Sequence, residues 1–214
     1  MKRPGRPLTV AKAVLLPRPP LSDRLRRVLK GVDAVHLPKS LKPVQVTLTR
    51  TVQGANFFAY ADTGPYAIEL NPAGTHPELS LLHEVAHFLE WQAIPKVIFG
   101  PRNFGADPLF GRWLFVLSQT PTVRRLSAIL DQEPELSPTH QQTSYVLRPV
   151  ELWARAYCQY VTREADVPIL YQQIAAENRA AAGTIVNDVY WAWDEFAPVQ
   201  EAMKVIFRHL EWIK

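Results

Sequence analysis

The sequence predicts an α+β fold: three short strand patterns come early, a series of helical patterns follows, and an unusually apolar helix joins the two halves. Its 214 residues suffice for one domain with a substantial buried core. Hydrophobic residues make up 47% and charged residues 21%, a globular composition that excludes a disordered or fibrous chain. The 19 prolines are scattered along the chain, so they read as loop and helix-start punctuation rather than a low-complexity repeat.

The elements follow in order. Residues 1–39 read as a basic N-terminal arm with a short helix over Ser22–Lys30, capped by Ser22 or Asp23. Residues 1–50 hold 12 Lys/Arg against two Asp/Glu, a net of +10, whereas 51–214 hold 12 against 18, a net of −6. Such an arm suits weak contact with nucleic acid or a solvated tail, and no aromatic residues interleave with its charges to stack on bases. Val44–Val52 alternates Val44, Val46 and Leu48 with Gln45, Thr47 and Thr49, the period of a half-buried strand. Asn56–Ala61 and Tyr66–Asn71 read as two more strands around a turn at Asp62–Pro65, which together predict a small antiparallel sheet.

Thr75–Glu78 has the form of a capping box ahead of a helix from His76 to Gln92. Within 95–140, Phe110–Leu117 and Val123–Leu130 look helical and the rest looks like loop. The aromatics of this stretch suit either a lid over a site or a satellite core. A helix runs from Pro149 to Arg163 and another from Val167 to Ala182. Two C-terminal helices split by Ala197-Pro198 complete the chain. Cys158 is the lone cysteine, so no intrachain disulfide or CxxC metal site forms, and its apolar setting reads as a buried, inert thiol. No apolar run is long enough to span a bilayer and no cleavage-site pattern follows the first residues. An unprocessed, cytoplasmic protein is expected.

The chemistry is concentrated at His83-Glu84-Val85-Ala86-His87. On a helix, residues four apart share a face, so both imidazoles reach one ion. Glu84 lies beside them, placed to polarise a water at the metal and to pass its proton to a leaving amine. Leu81, Leu82, Val85, Ala86, Phe88 and Leu89 leave this helix almost no polar face. Two histidines buried among them need partners, and a metal ion, Zn²⁺ by donor type, supplies one for each.

A catalytic zinc needs three protein ligands and an open position. A third histidine three residues beyond a glycine is excluded, because Glu90 and Ala93 stand at those positions. Glu151 is the candidate third ligand, in Arg148-Pro-Val-Glu-Leu-Trp-Ala-Arg-Ala-Tyr157, where Pro149 favours a helix start. By spacing alone, a first-turn glutamate favoured by the helix dipole reads equally well.

SLLHEVAHFLEW together with ELWARAYCQYV resembles the gluzincins, most closely the group of the anthrax lethal factor catalytic domain and its relatives in phages and mobile elements. The resemblance covers about residues 66–92 and 144–161. It implies a zincin-like metallopeptidase domain over residues 40–214 that hydrolyses a peptide or protein substrate. His83, His87 and Glu151 would hold Zn²⁺, and Glu84 would act as general base. In that group a tyrosine shortly before the glutamate stabilises the oxyanion, and Tyr145 stands near that place. Arg155 departs from the pattern, since relatives often carry an acid there.

Other residues yield less. Tyr66–Asn71 reads equally well as a plain sheet strand or as one that edges the cleft and offers its backbone to an extended substrate. His140 lies in a polar segment before Tyr145 and reads as a solvated loop histidine. His36, His76 and His209 lack metal-ligand spacing, and Trp191 and Trp193 read as packing residues.

Overall fold

Val44 and Val46 are buried while Gln45 and Thr47 are exposed or nearly so, which fixes one face of strand β2 (Val44–Leu48) against the core. Strand β4 (Tyr66–Leu70) buries Tyr66, Ile68 and Leu70 in the same way. Strands β1 (Val14–Leu15) and β3 (Ala55–Ala59) complete a four-stranded sheet in the order β1-β2-β4-β3. The structure, a computed structural model, describes residues 7–17, 21–52, 55–59, 66–93, 107–181 and 190–213. The expected turn at 62–65, Phe99 and Phe104, and most of the basic arm's first residues lie outside them.

The sheet is mixed, which corrects the antiparallel expectation. β1 runs parallel to β2, and β2 runs parallel to β4 with Val46 opposite Ile68. Only β3 is antiparallel, pairing Phe57 with Ile68 on the β4 edge. Period-2 alternation reports which face a side chain takes and is silent on the neighbour's direction. Helix α2 (Leu21–Val35) lies between β1 and β2, and such a crossover returns the chain in the same direction.

Helix α2 also exceeds the short helix expected over Ser22–Lys30. Leu25, Val28, Leu29 and Val32 are fully buried and belong to one core with α1 (Val10–Ala13), the sheet and the later helices. Residues of α1, β1 and α2 are thus packed into the common core, and Leu8 and Lys39 exchange backbone hydrogen bonds. Gly31 is required here, because a Cβ would stand 2.7 Å from Val167 Cγ2.

The HExxH helix α3 (Pro77–Ala93) is the centre of the molecule. Leu81, Leu82, Val85, Ala86, Phe88 and Leu89 are at most 3% exposed, covered by the sheet and by α2, α7 (Pro149–Ala165) and α8 (Pro168–Ala181). Each buried Leu, Val or Phe among them contributes roughly 1.5–3 kcal/mol before entropy is counted, so the helix is anchored on several sides. The expected capping box is replaced by long-range partners. Glu78 pairs with Arg24 at 2.5 Å and accepts from Gln173 Nε2 at 2.7 Å, while Gln173 Oε1 accepts from Leu79 N–H.

Prolines do open helices: Pro77, Pro108, Pro121, Pro138, Pro149 and Pro168 each start one, where the missing N–H costs nothing. Helices α4 (Pro108–Gln119) and α5 (Pro121–Gln132) are capped by Asp107 and Thr120. Phe110 and Trp113 pack on Trp153 in the main core, so these two aromatics form neither a lid nor a satellite cluster. The polar stretch expected to be loop is helix α6 (Pro138–Val146), capped by Ser137, and it carries His140. The two expected C-terminal helices are one, α9 (Trp193–His209), running through Pro198. Pro198 forfeits one intrahelical bond near the helix start, while Phe196, Val199, Met203, Ile206 and Phe207 bury the face that holds the helix in place.

Candidate metal centre

α3 and α7 cross with their small and apolar faces together, Ala86 and Ala154 both fully buried, and this brings three donors to one point. His83 Nε2 is 3.3 Å from His87 Nε2 and 3.2 Å from Glu151 Oε2, and His87 Nε2 is 3.7 Å from Glu151 Oε1. A ligand atom of each lies within 4.8 Å of the others. Tetrahedral zinc with bonds of about 2.0–2.2 Å needs donors about 3.3–3.5 Å apart, so the three residues fit Zn²⁺ in spacing and in donor chemistry. The ion would be held by His83, His87 and Glu151.

The electrostatics follow from crowding these groups. Burial, above all, lowers the His83 pKa to about 4 against the pull of Glu151, so its imidazole is neutral and ready to ligate. Burial also opposes charge on His87, but Glu90, Glu84 and Glu151 outweigh it and raise its pKa. Burial likewise disfavours the Glu151 carboxylate. Hydrogen bonding and charge from His83, His87 and Tyr145 overcome that and hold its pKa down to about 2. A carboxylate and a neutral imidazole are the forms that bind a divalent ion.

Glu84 is 8% exposed and lines the cleft in front of His83, together with Glu151, Tyr145, Arg155, Tyr190 and Ala55. Tyr145 stands on the last turn of α6 and is hydrogen-bonded to Glu151; desolvation and that carboxylate push its phenol up to about 12. It is 43% exposed, so the hydroxyl borders the cleft as a protonated donor. Arg148 lies 5.1 Å over its ring.

All five residues expected at the site are therefore brought together. Two neighbours carried no sequence expectation of a role there. Glu90 is 9% exposed and its Oε2 is 3.5 Å from His87 Nδ1, the position of a carboxylate that orients a ligating imidazole. The i, i+3 spacing from His87 was the available signal. Arg155, one turn beyond Glu151, is a buried cation whose Nη2 donates to the Val146 carbonyl. His76 borders the same cleft but is 3.6 Å from Glu177 rather than near the donors. His140 and His209 are outside the donor group, and His36 is buried between Tyr157, Phe207 and Trp212. Cys158 is fully buried with its thiol pKa pushed up by burial, in keeping with an inert role.

The expectation that Tyr66–Asn71 offers an open backbone is corrected. β4 is hydrogen-bonded on both sides, to β2 and to β3, so among the described strands β3 holds the free edge nearest the cleft. Comparison with protein-family models, with curated proteins and with solved structures gives no match to this chain. Among the described residues no helix is long and apolar enough to cross a membrane.

Proposed function

We propose that the chain is a zinc-dependent peptidase of gluzincin type, built on a zincin-like α+β domain. The observation that carries this reading is the meeting of Glu151 with His83 and His87 at tetrahedral-edge distances, from helices far apart in sequence. The mixed sheet with an antiparallel edge strand beside α3 supports the architecture.

Bound zinc would supply a Lewis acid and bring the pKa of a water toward about 7. The chain's own residues do the rest. Glu84, partly desolvated at the cleft wall, accepts a proton from the attacking water and returns it to the departing amine nitrogen. Tyr145, protonated through the neutral range, donates to the oxygen of the scissile carbonyl as negative charge builds on it. Glu90 holds the His87 ring in its ligating orientation. An extended substrate adds alongside the edge of β3, whose first residue, Ala55, lines the cleft. The discriminating experiment is an unbiased peptide-library digest with zinc-loaded wild type and Glu84→Gln: cleavage by the first and not the second supports peptidase action. Zinc binding with no cleavage by either points to a silent zincin-fold interaction module.

A second reading concerns α2, whose Arg24, Arg26, Arg27 and Lys30 are exposed along one helix. This basic face supports weak polyanion contact alongside the peptidase activity. DNA affinity that falls steeply with salt and is lost on replacing these four residues tests it.

A further inference from the structure

We propose that Arg155 limits the metal affinity of the centre: a fixed buried cation that keeps the His83–His87–Glu151 site weaker and more exchangeable than its three ligands alone would make it. This role rests on the metal-centre reading and deepens it.

Residue 155 lies one helical turn after Glu151 on α7, so both side chains project from the same face. Arg155 is 4% exposed and lines the cleft that holds His83, Glu84 and Glu151. Arginine does not give up its proton in a protein, so burial leaves a permanent charge there. Its hydrogen bonding is incomplete: Nη2 donates to the Val146 carbonyl, and the buried Nε has no hydrogen-bond partner among the described residues. The Glu151 carboxylate, which also has to serve the metal, lines the same cleft.

Two consequences follow from Coulomb's law in a site with little water to screen it. The guanidinium, in the same cleft as His83 and Glu151, opposes any cation held there. It also offsets part of the Glu151 charge, so the carboxylate attracts an incoming ion less strongly. Both effects lower affinity, and the second reduces the uncompensated charge of the ion-free site. The site is suited to reversible loading, with zinc supply deciding how much of the chain is active.

The test uses the full chain, stripped by a chelator, with Zn²⁺ as the probe in competition against a chromophoric chelator at neutral pH. Arg155→Met removes the charge. Arg155→Gln also removes it but keeps a donor for the Val146 carbonyl, so a folded neutral variant is available if the first does not fold. Arg155→Lys keeps the charge and loses the guanidinium shape. The neutral variants are expected to bind Zn²⁺ about tenfold or more tightly than wild type. Arg155→Lys is expected to stay within about threefold of wild type, because charge and not shape sets the affinity. Neutral variants that bind no more tightly than wild type overturn the proposal, as does a lysine variant that tightens as much as the glutamine one. Absence of zinc binding in wild type and all variants overturns the metal centre itself, and this role with it.

Discussion

His83 Nε2 and Glu151 Oε2 stand 3.2 Å apart although 68 residues separate them in sequence. The pairing depends on two packed helices, α3 carrying the sequence motif and α7 bringing Glu151 from its first turn. The donor group of His83, His87 and Glu151 exists only through that packing.

In the proposed reaction Glu84 serves proton transfer, and it is not among the three clustered donors that could hold an ion. Glu84→Gln should therefore keep the zinc stoichiometry and melting behaviour of wild type while turnover falls roughly 10²–10⁴-fold. Steady-state kinetics on a peptide selected from the library measures this. A variant that loses zinc together with activity would assign Glu84 to holding the ion.

Tyr145→Phe removes the donor of the proposed reaction together with the hydroxyl's hydrogen bond to Glu151. We expect kcat to drop on the order of 10²-fold with KM changed far less, since the hydroxyl acts on charge that develops only during the reaction. An equal rise in KM with kcat intact would place Tyr145 in ground-state binding instead.

Glu90→Ala and the neutral Arg155 variants should move metal affinity in opposite directions. Losing the carboxylate beside His87 Nδ1 leaves the ring free to turn, and zinc affinity is expected to fall about 10–100-fold. Chelator competition reads both effects on one scale, and a Glu90→Ala affinity equal to wild type removes its orienting role.

Much of this centre was legible in the sequence, and the reason is chemical. His83, Glu84 and His87 sit within one helix, so their relation is set by helical period alone, and the apolar residues around them announce burial. Glu151 was readable as a helix-start glutamate, but its partner choice depends on how α3 and α7 cross, which no local pattern encodes. The direction of β2 against β4 was illegible for the same reason, because alternation specifies a face and leaves the neighbour open. α6 was missed because its nine residues are mostly polar, with little amphipathic signal; Ser137 and Pro138 mark its start. Pro198 misled in the other direction, since a proline this near a helix start forfeits little.

His36 gives the pH dependence of stability a defined sign. Burial among Tyr157, Tyr160, Phe207 and Trp212 lowers its pKa from 6.5 to about 3. The unfolded chain binds this proton near pH 6.5 and the folded chain does not, so its stabilising contribution is intact above pH 6.5 and is lost as pH falls toward 3. Each pH unit through that window costs up to about 1.4 kcal/mol. Urea unfolding of wild type and His36→Leu, both with chelator present, should show a flatter pH dependence for the variant between pH 6 and 4. Parallel curves contradict the assignment.

The most direct measurement is zinc content and coordination in the full chain, by elemental analysis and X-ray absorption. One zinc per chain is expected, bound by two imidazoles and a carboxylate, and depleted in His83→Ala, His87→Ala and Glu151→Ala alike. A zinc content left unchanged by Glu151→Ala, or an ion held by residues elsewhere, contradicts the centre described here.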